Sequence, residues 1–106
     1  MRKANIYVRN LLAGCLEETE TGYRFTYDKH YLKQTDAEPV SLTLPLREQP
    51  FDSNILHPFF DGLIPEGWLL DVALRNSDIS QLDRMGLLLL CCKDCIGAVS
   101  VQPVDE

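Results

Sequence analysis

Residues Tyr23, Arg24, Phe25, Thr26, Tyr27 and Asp28 alternate aromatic and polar side chains without a break. A strand turns successive side chains to opposite faces, so this spacing gives one face three rings and the other only polar groups. A helix would scatter the same rings around its circumference. The stretch therefore requires a sheet with one buried and one wet face, and the rest of the chain is organised around that requirement. Ile6 and Val8 alternate with Asn5, Tyr7 and Arg9, and Leu12, Gly14 and Leu16 alternate with Ala13 and Cys15. Asn10 supplies a turn residue between these runs, although Asn10-Leu11 stands where Asn-Gly would give the strongest hairpin signal. The acidic stretch from Glu17 to Gly22 forms the next turn. Three strands in an antiparallel meander are the simplest arrangement.

Residues 29–39 read as a helical turn around His30 to Leu32 followed by a polar loop. Val40, Leu42 and Leu44 alternate with Ser41 and Thr43, which predicts another short strand that Pro45 ends. Arg47 to Ser53 reads as a loop offering Asp52 or Ser53 as a helix cap. From there the period is helical. Ile55, Leu56, Phe59, Phe60 and Leu63 share one face of a helix, with Pro58 in its first turn and Gly62 and Pro65 at its end. A second helix opens at Pro65 with Glu66 near its positive end, runs to Arg75 and stops in Asn76-Ser77-Asp78. A third begins with Ser80-x-x-Asp83, a capping-box pattern, and continues through Leu82, Met85 and Leu87 to Leu90. Ile96 to Val101 reads as a C-terminal strand returning to the sheet. The predicted class is α+β: a small antiparallel sheet (N-terminal meander plus C-terminal strand) packed by about three helices, in a single domain over residues 1–106.

Composition narrows the function. A chain of 106 residues can bury enough surface to fold without disulfides or metal. Ten basic against sixteen acidic residues give a net charge of −6. The basic residues are scattered, which argues against direct nucleic-acid binding, since phosphate contacts need clustered Lys and Arg. No secretory signal is visible, and the longest apolar run, Gly86 to Cys92, is far below the ~20 residues of a membrane-spanning helix. The expectation is a soluble, cytoplasmic protein.

Catalytic motifs are missing. There is no phosphate-binding glycine loop, nucleophile elbow or paired zinc-binding histidine motif. His30 and His57 are single histidines in unrelated contexts, read as surface or capping residues. Asp61 and Glu66 are separated by a helix break, which gives a paired-carboxylate site little support, and Asp94 reads as a turn residue bonding backbone amides. Cys92 to Cys95 is formally a C-x-x-C, but it closes a leucine-rich helix at the negative end, where a thiolate is not stabilised. A zinc site would need two more ligands, and Cys15, His30 and His57 show no paired spacing. Cys91, Cys92 and Cys95 are read as small apolar side chains at a helix-to-strand junction, with a zinc or redox module as the distant alternative. The sequence predicts no enzyme, no cofactor and no metal.

The chain's one tryptophan carries the sharper question. On a helical wheel with Trp68 at zero, Leu69, Leu70, Ala73 and Leu74 form an apolar arc centred near about 170°. Asp71 and Arg75 fall at about 300° and 340°, an i, i+4 opposite-charge pair suited to a wet face. Trp68 therefore sits beside the charged pair and nearly opposite the arc. Two readings stand: a core residue covered by a neighbouring element, or an exposed aromatic anchor of the kind enriched at interface hot spots.

The segment Pro39-Val40-Ser41-Leu42-Thr43-Leu44-Pro45-Leu46, then Pro58-Phe59-Phe60-Asp61-Gly62-Leu63-Ile64-Pro65-Glu66-Gly67, resembles the N-terminal subdomain of HipA-like serine/threonine kinases. These are the toxin kinases of bacterial toxin–antitoxin systems. Asp94-Cys95-Ile96-Gly97-Ala98 resembles the strand that closes that subdomain, and the early hairpin with Gly14 and the Phe25-x-Tyr27 strand also fit. Cys95 matches a family position without metal chemistry. In ordinary members the module is fused to catalytic domains, whereas this sequence stops at Glu106 and carries no ATP-binding, magnesium-binding or catalytic residues. The resemblance implies a separately encoded subdomain, as in three-component HipBST-type systems. There the small protein pairs with a shortened, HipT-type kinase and a HipB-like helix-turn-helix DNA-binding protein, and acts as antitoxin. The expected partner-binding residues are Glu66, Gly67 and Trp68, aimed at the kinase active-site cleft, with Asp71 and Arg75 on the rim. An accessory subunit that completes the kinase is the alternative.

Overall fold

A computed structural model of the chain describes residues 2–64, 83–91 and 99–104. Strands β1 (Lys3–Val8), β2 (Leu11–Glu18) and β3 (Tyr23–Tyr27) form the expected antiparallel meander. β4 (Phe51–Ser53) adds beside β3 and β5 (Val99–Pro103) beside β1, so the sheet order is β4-β3-β2-β1-β5 with every neighbour antiparallel. Helices α1 (Lys29–Leu32), α2 (Pro58–Asp61) and α3 (Arg84–Cys91) complete the described elements. The class is α+β with a small sheet. The helix predicted over residues 65–75 lies outside the described residues.

One sheet face, carrying Ala4, Ile6, Leu16, Phe25, Tyr27 and Val101, joins Phe60 of α2 and Met85, Leu87 and Leu88 of α3 in a single buried core. The opposite face carries half-exposed groups such as Asn5, Tyr7, Cys15, Thr26 and Ser100. At the centre of the core the Phe25 ring lies across Gly14, where any side chain would strike the ring and the Thr26 carbonyl. Tyr27, Phe60 and Phe51 surround it with ring centroids at 4.9, 5.4 and 6.3 Å. Burial of one such ring contributes roughly 2–3 kcal/mol.

Local differences from the sequence reading have identifiable causes. The β1–β2 turn is Arg9-Asn10, not Asn10-Leu11, because Val8 pairs with Leu11. Both turn residues have positive φ, 50° and 68°, as a two-residue hairpin turn that follows the strand twist requires. Ile6 faces Gly14 but Tyr7 faces Leu12, so Ala13 is an extra residue in β2. This bulge reverses the alternation: Ala13 is buried and Leu12 exposed, where the sequence placed Leu12 on the buried face. Tyr23 to Tyr27 is a strand as expected, and Asp28 instead caps α1 by accepting from the Tyr31 N–H at 3.1 Å.

Arg47 to Ser53, expected as loop, contains β4, because pairing Phe51 with Phe25 completes the aromatic cluster. The Arg47 guanidinium stacks 3.7 Å above the Phe51 ring. Neither Asp52 nor Ser53 caps a helix: Asp52 pairs with Arg24, and the Ser53 Oγ accepts from the Ile55 N–H. The helix expected from Ile55 to Leu63 shortens to α2, with His57 as the residue before it, making no side-chain cap bond, and Pro58 at its first position. The helix expected from Ser80 is described from Arg84, with Asp83 as the non-helical residue before it.

The largest difference falls on Val40 to Leu44. These residues form a turn closed by a Leu44 N–H to Ser41 carbonyl bond at 3.0 Å, not a ladder strand. Two tyrosine hydroxyls do the holding that a neighbouring strand would otherwise do. The buried Tyr27 hydroxyl accepts from the Val40 N–H at 2.9 Å and donates to the Leu44 carbonyl. The Tyr31 hydroxyl accepts from the Glu38 N–H at 3.1 Å and donates to the Glu38 carbonyl at 2.6 Å. Val40 and Leu44 are buried by this arrangement, while Leu42, between them, is 96% exposed.

Candidate interaction surface

The five residues expected to bind a partner, Glu66, Gly67, Trp68, Asp71 and Arg75, lie outside the described residues. The described structure supplies the frame from which their segment departs, after Ile64, and to which it returns, at Asp83. These two ends adjoin. Arg84 Nε donates to Asp61 Oδ1 at 2.6 Å, tying the first residue of α3 to the last of α2.

Asp83 is held from two sides. Its Oδ1 accepts from the Gly86 N–H at 3.1 Å, which caps α3. Both of its oxygens accept from Arg2, at 2.9 and 2.6 Å. Arg2 also donates through Nε to Glu18 Oε1 at 2.6 Å, so one guanidinium joins the start of β1, the end of β2 and the start of α3. The fork of the guanidinium suits two planar carboxylates at once, which an ammonium would not. Hydrogen bonds from Arg2 hold both the Asp83 and the Glu18 carboxyl below their usual range, and those carboxylates in turn raise the guanidinium above its own. The Asp83 carboxylate and the Arg2 guanidinium close over Gly86, so a side chain there would have to displace them. The Arg2 side chain is 42% exposed and that of Asp83 33%, so each pair contributes about 1 kcal/mol or less.

Beside this frame an open groove of about 360 Å³, mainly apolar, is lined by Ile55, Leu56, Pro58, Gly62, Asp61 and Arg84. Ile55 is 64% exposed on its edge. A second groove of the same volume, between the β2–β3 turn and β4, is evenly mixed in character, and there the Arg24 guanidinium holds the Asp52 carboxyl below its usual range. The first groove adjoins both ends of the segment carrying Trp68. The second begins at Asn54, next to Ile55 of the first.

The groups that sequence inspection weighed for chemistry do not come together. His57 is buried, with Nε2 2.8 Å from the Phe51 carbonyl and its ring edge-on to Phe60. Its Nδ1 is buried without a hydrogen-bond partner. His30 is exposed on α1. Burial, helped by the neighbouring Glu17 charge, pushes the Cys15 thiol up, so it is a poor nucleophile. Cys92, Asp94 and Cys95 lie outside the described residues, and among the described residues no group of three His, Cys, Asp or Glu side chains could hold a metal ion. None of the described helices is long and apolar enough to cross a membrane. Sequence reasoning missed the Arg2–Asp83 and Asp61–Arg84 pairs, which join residues far apart in the chain. The capping pattern at Asp83 was the one local signal.

The arrangement can present a surface; it does not assemble an acid–base or nucleophilic centre among the described residues. A family model described as the HipA N-terminal domain matches residues 4–102. An uncharacterized protein of Haemophilus influenzae is 31% identical over 102 residues, covering 96% of this chain and 92% of that protein. A Sinorhizobium fredii protein named "Putative kinase Y4mE" is 30% identical over 114 residues, and the match takes in 100% of this chain but 26% of that protein. Among solved structures, the N-terminal domain of HipA toxin superposes with a TM-score of 0.76 at 26% identity, over 100% of this chain and 95% of that one.

Proposed function

We propose, on the premise that this chain belongs to the HipA N-terminal domain family, that it is a non-enzymatic antitoxin. It binds and neutralises a HipA-like serine/threonine kinase that lacks its own N-terminal domain. The observation that carries this reading is the pair of coverages. The same domain makes up 26% of a relative named as a kinase and nearly fills the H. influenzae relative, at 92%. A domain that exists in both settings fits a split arrangement, in which the small protein docks on the kinase where the fused copy packs.

Phosphoryl transfer depends almost wholly on positioning, so a side chain wedged into the active-site cleft suffices to stop it. In this reading segment 65–82 supplies the wedge. Glu66, Gly67 and Trp68 face the cleft, and Asp71 and Arg75 form the rim. The pairs at Arg2–Asp83 and Asp61–Arg84 steady the residues that flank it. Burying one indole removes about 200 Å² from water, worth several kcal/mol before ordering costs.

The test is growth rescue with the kinase co-expressed, paired with a binding measurement. Wild type restores growth, whereas Trp68→Ala fails to rescue and binds at least about thirtyfold more weakly. Equal rescue by the variant removes Trp68 as the anchor. A rise in kinase activity on adding the wild-type chain replaces the antitoxin reading with that of an accessory subunit. Purification of the pair with a HipB-like helix-turn-helix protein tests for the third component.

A further inference from the structure

We infer that the Ser41–Leu44 turn is a second docking element, which seats Leu42 in an apolar pocket of the kinase; this rests on the kinase-binding reading above. An exposed leucine is ordinary on a protein surface, and one on a pliable loop would mean little. Leu42 differs because the backbone on both sides of it is fixed while its own side chain serves no packing role. The Tyr27 hydroxyl bonds the chain immediately before the turn, at Val40, and at its end, at Leu44. The turn is further closed by its own 3.0 Å backbone bond, and the Ser41 Oγ accepts from the Thr43 N–H at 3.3 Å. With flanking Val40 and Leu44 buried, Leu42 stands 96% exposed at the tip. The ordering cost of such a knob falls on folding and not on association, which favours tight docking.

The surroundings select the occupant. No charged residue occurs from Pro39 to Leu46, in a chain with ten basic and sixteen acidic residues. An uncharged knob complements an apolar protein pocket and offers nothing to nucleic acid or to an anionic ligand. Leu46, 38% exposed, is the second apolar side chain nearby. Together the two leucines offer on the order of 200 Å² of apolar surface, against about 800 Å² per partner in a stable interface. The knob is too small to hold a second copy of this chain by itself, so it acts as an outlying contact of a larger interface. A kinase has the size for that: the S. fredii relative places this domain in a chain of which it is 26%.

Isothermal titration of the purified kinase with wild type, Leu42→Ser and Leu42→Met tests the inference, with thermal melting of each variant alone. The expected result is a dissociation constant raised about tenfold for Leu42→Ser and within about twofold of wild type for Leu42→Met, with all three melting temperatures alike. Tight wild-type binding matched by Leu42→Ser overturns the knob and leaves the kinase reading standing. No binding by wild type overturns both. A loss of self-association in Leu42→Ser by sedimentation, with kinase affinity unchanged, assigns the knob to a second copy and also overturns the inference.

Discussion

The loop through residues 38–46 and the residues that flank segment 65–82 are held by opposite means. The loop is held from beneath by neutral phenol hydroxyls at Tyr27 and Tyr31, working at buried or half-buried positions. The segment's flanks are held by charged groups that remain a third or more exposed, Arg2 with Asp83 and Arg84 with Asp61. A buried hydrogen bond contributes modestly when made, but leaving its partners unpaired is costly. An exposed ion pair costs little to lose and weakens in salt or acid. The tyrosine bonds of the loop are thus insensitive to salt and mild acid, while the pairs that flank residues 65–82 are sensitive to both.

Tyr27→Phe should break this contrast most severely. It strands the Val40 N–H and the Leu44 carbonyl in the interior, for an expected loss of about 2–4 kcal/mol in denaturant unfolding. The loss should not change with salt. A cost under about 0.5 kcal/mol would show that the loop is held by packing alone.

Arg2→Ala comes next, at about 1 kcal/mol. Glu18 and Asp83 are held below their ordinary values of 4.5 and 3.8 by bonds from Arg2. A depressed carboxylate adds stability that is fully present above its ordinary value and is lost as pH falls through the folded one. The gap between wild type and Arg2→Ala should therefore be complete above about pH 5, close progressively below about pH 4, and shrink in ~1 M salt. A pH-independent gap would mean that Arg2 acts through its aliphatic stem.

Asp52→Asn should do least. The Arg24–Asp52 pair on the wet sheet face is exposed on both sides, and the melting temperature should stay within about a degree of wild type. A larger fall would show that β4 depends on this pair and not on Phe51.

Legibility in the sequence followed the range of the interactions involved. The Tyr23–Tyr27 strand, the meander and the returning strand could be read because alternation and turn residues are local signals. Three features escaped for physical reasons. The Ala13 bulge changes strand parity without changing composition. β4 is only three residues long and follows Pro50, so its pairing with Phe25 leaves no periodic trace. Val40 to Leu44 alternates like a strand, yet its backbone is held by the Tyr27 hydroxyl of β3 and not by another strand. For the candidate surface, the sequence singled out Trp68 and its neighbours. The frame at Arg2, Asp61, Asp83 and Arg84 depends on pairings that only the folded chain brings together.

The sheet order also carries a consequence for synthesis. β5 pairs with β1, matching Val99 to Val8, whereas β1 to β3 pair with their immediate successors. As the chain leaves the ribosome the meander can close early, since short loops cost little entropy to form. The open side of β1 must then wait until the chain through Val99 has emerged before β5 can pair with it. A long-range pairing of this kind slows folding and leaves a bare strand edge in the interval. The nascent chain is therefore most vulnerable to sticking, or open to capture by a partner made alongside it, just before β5 is in place.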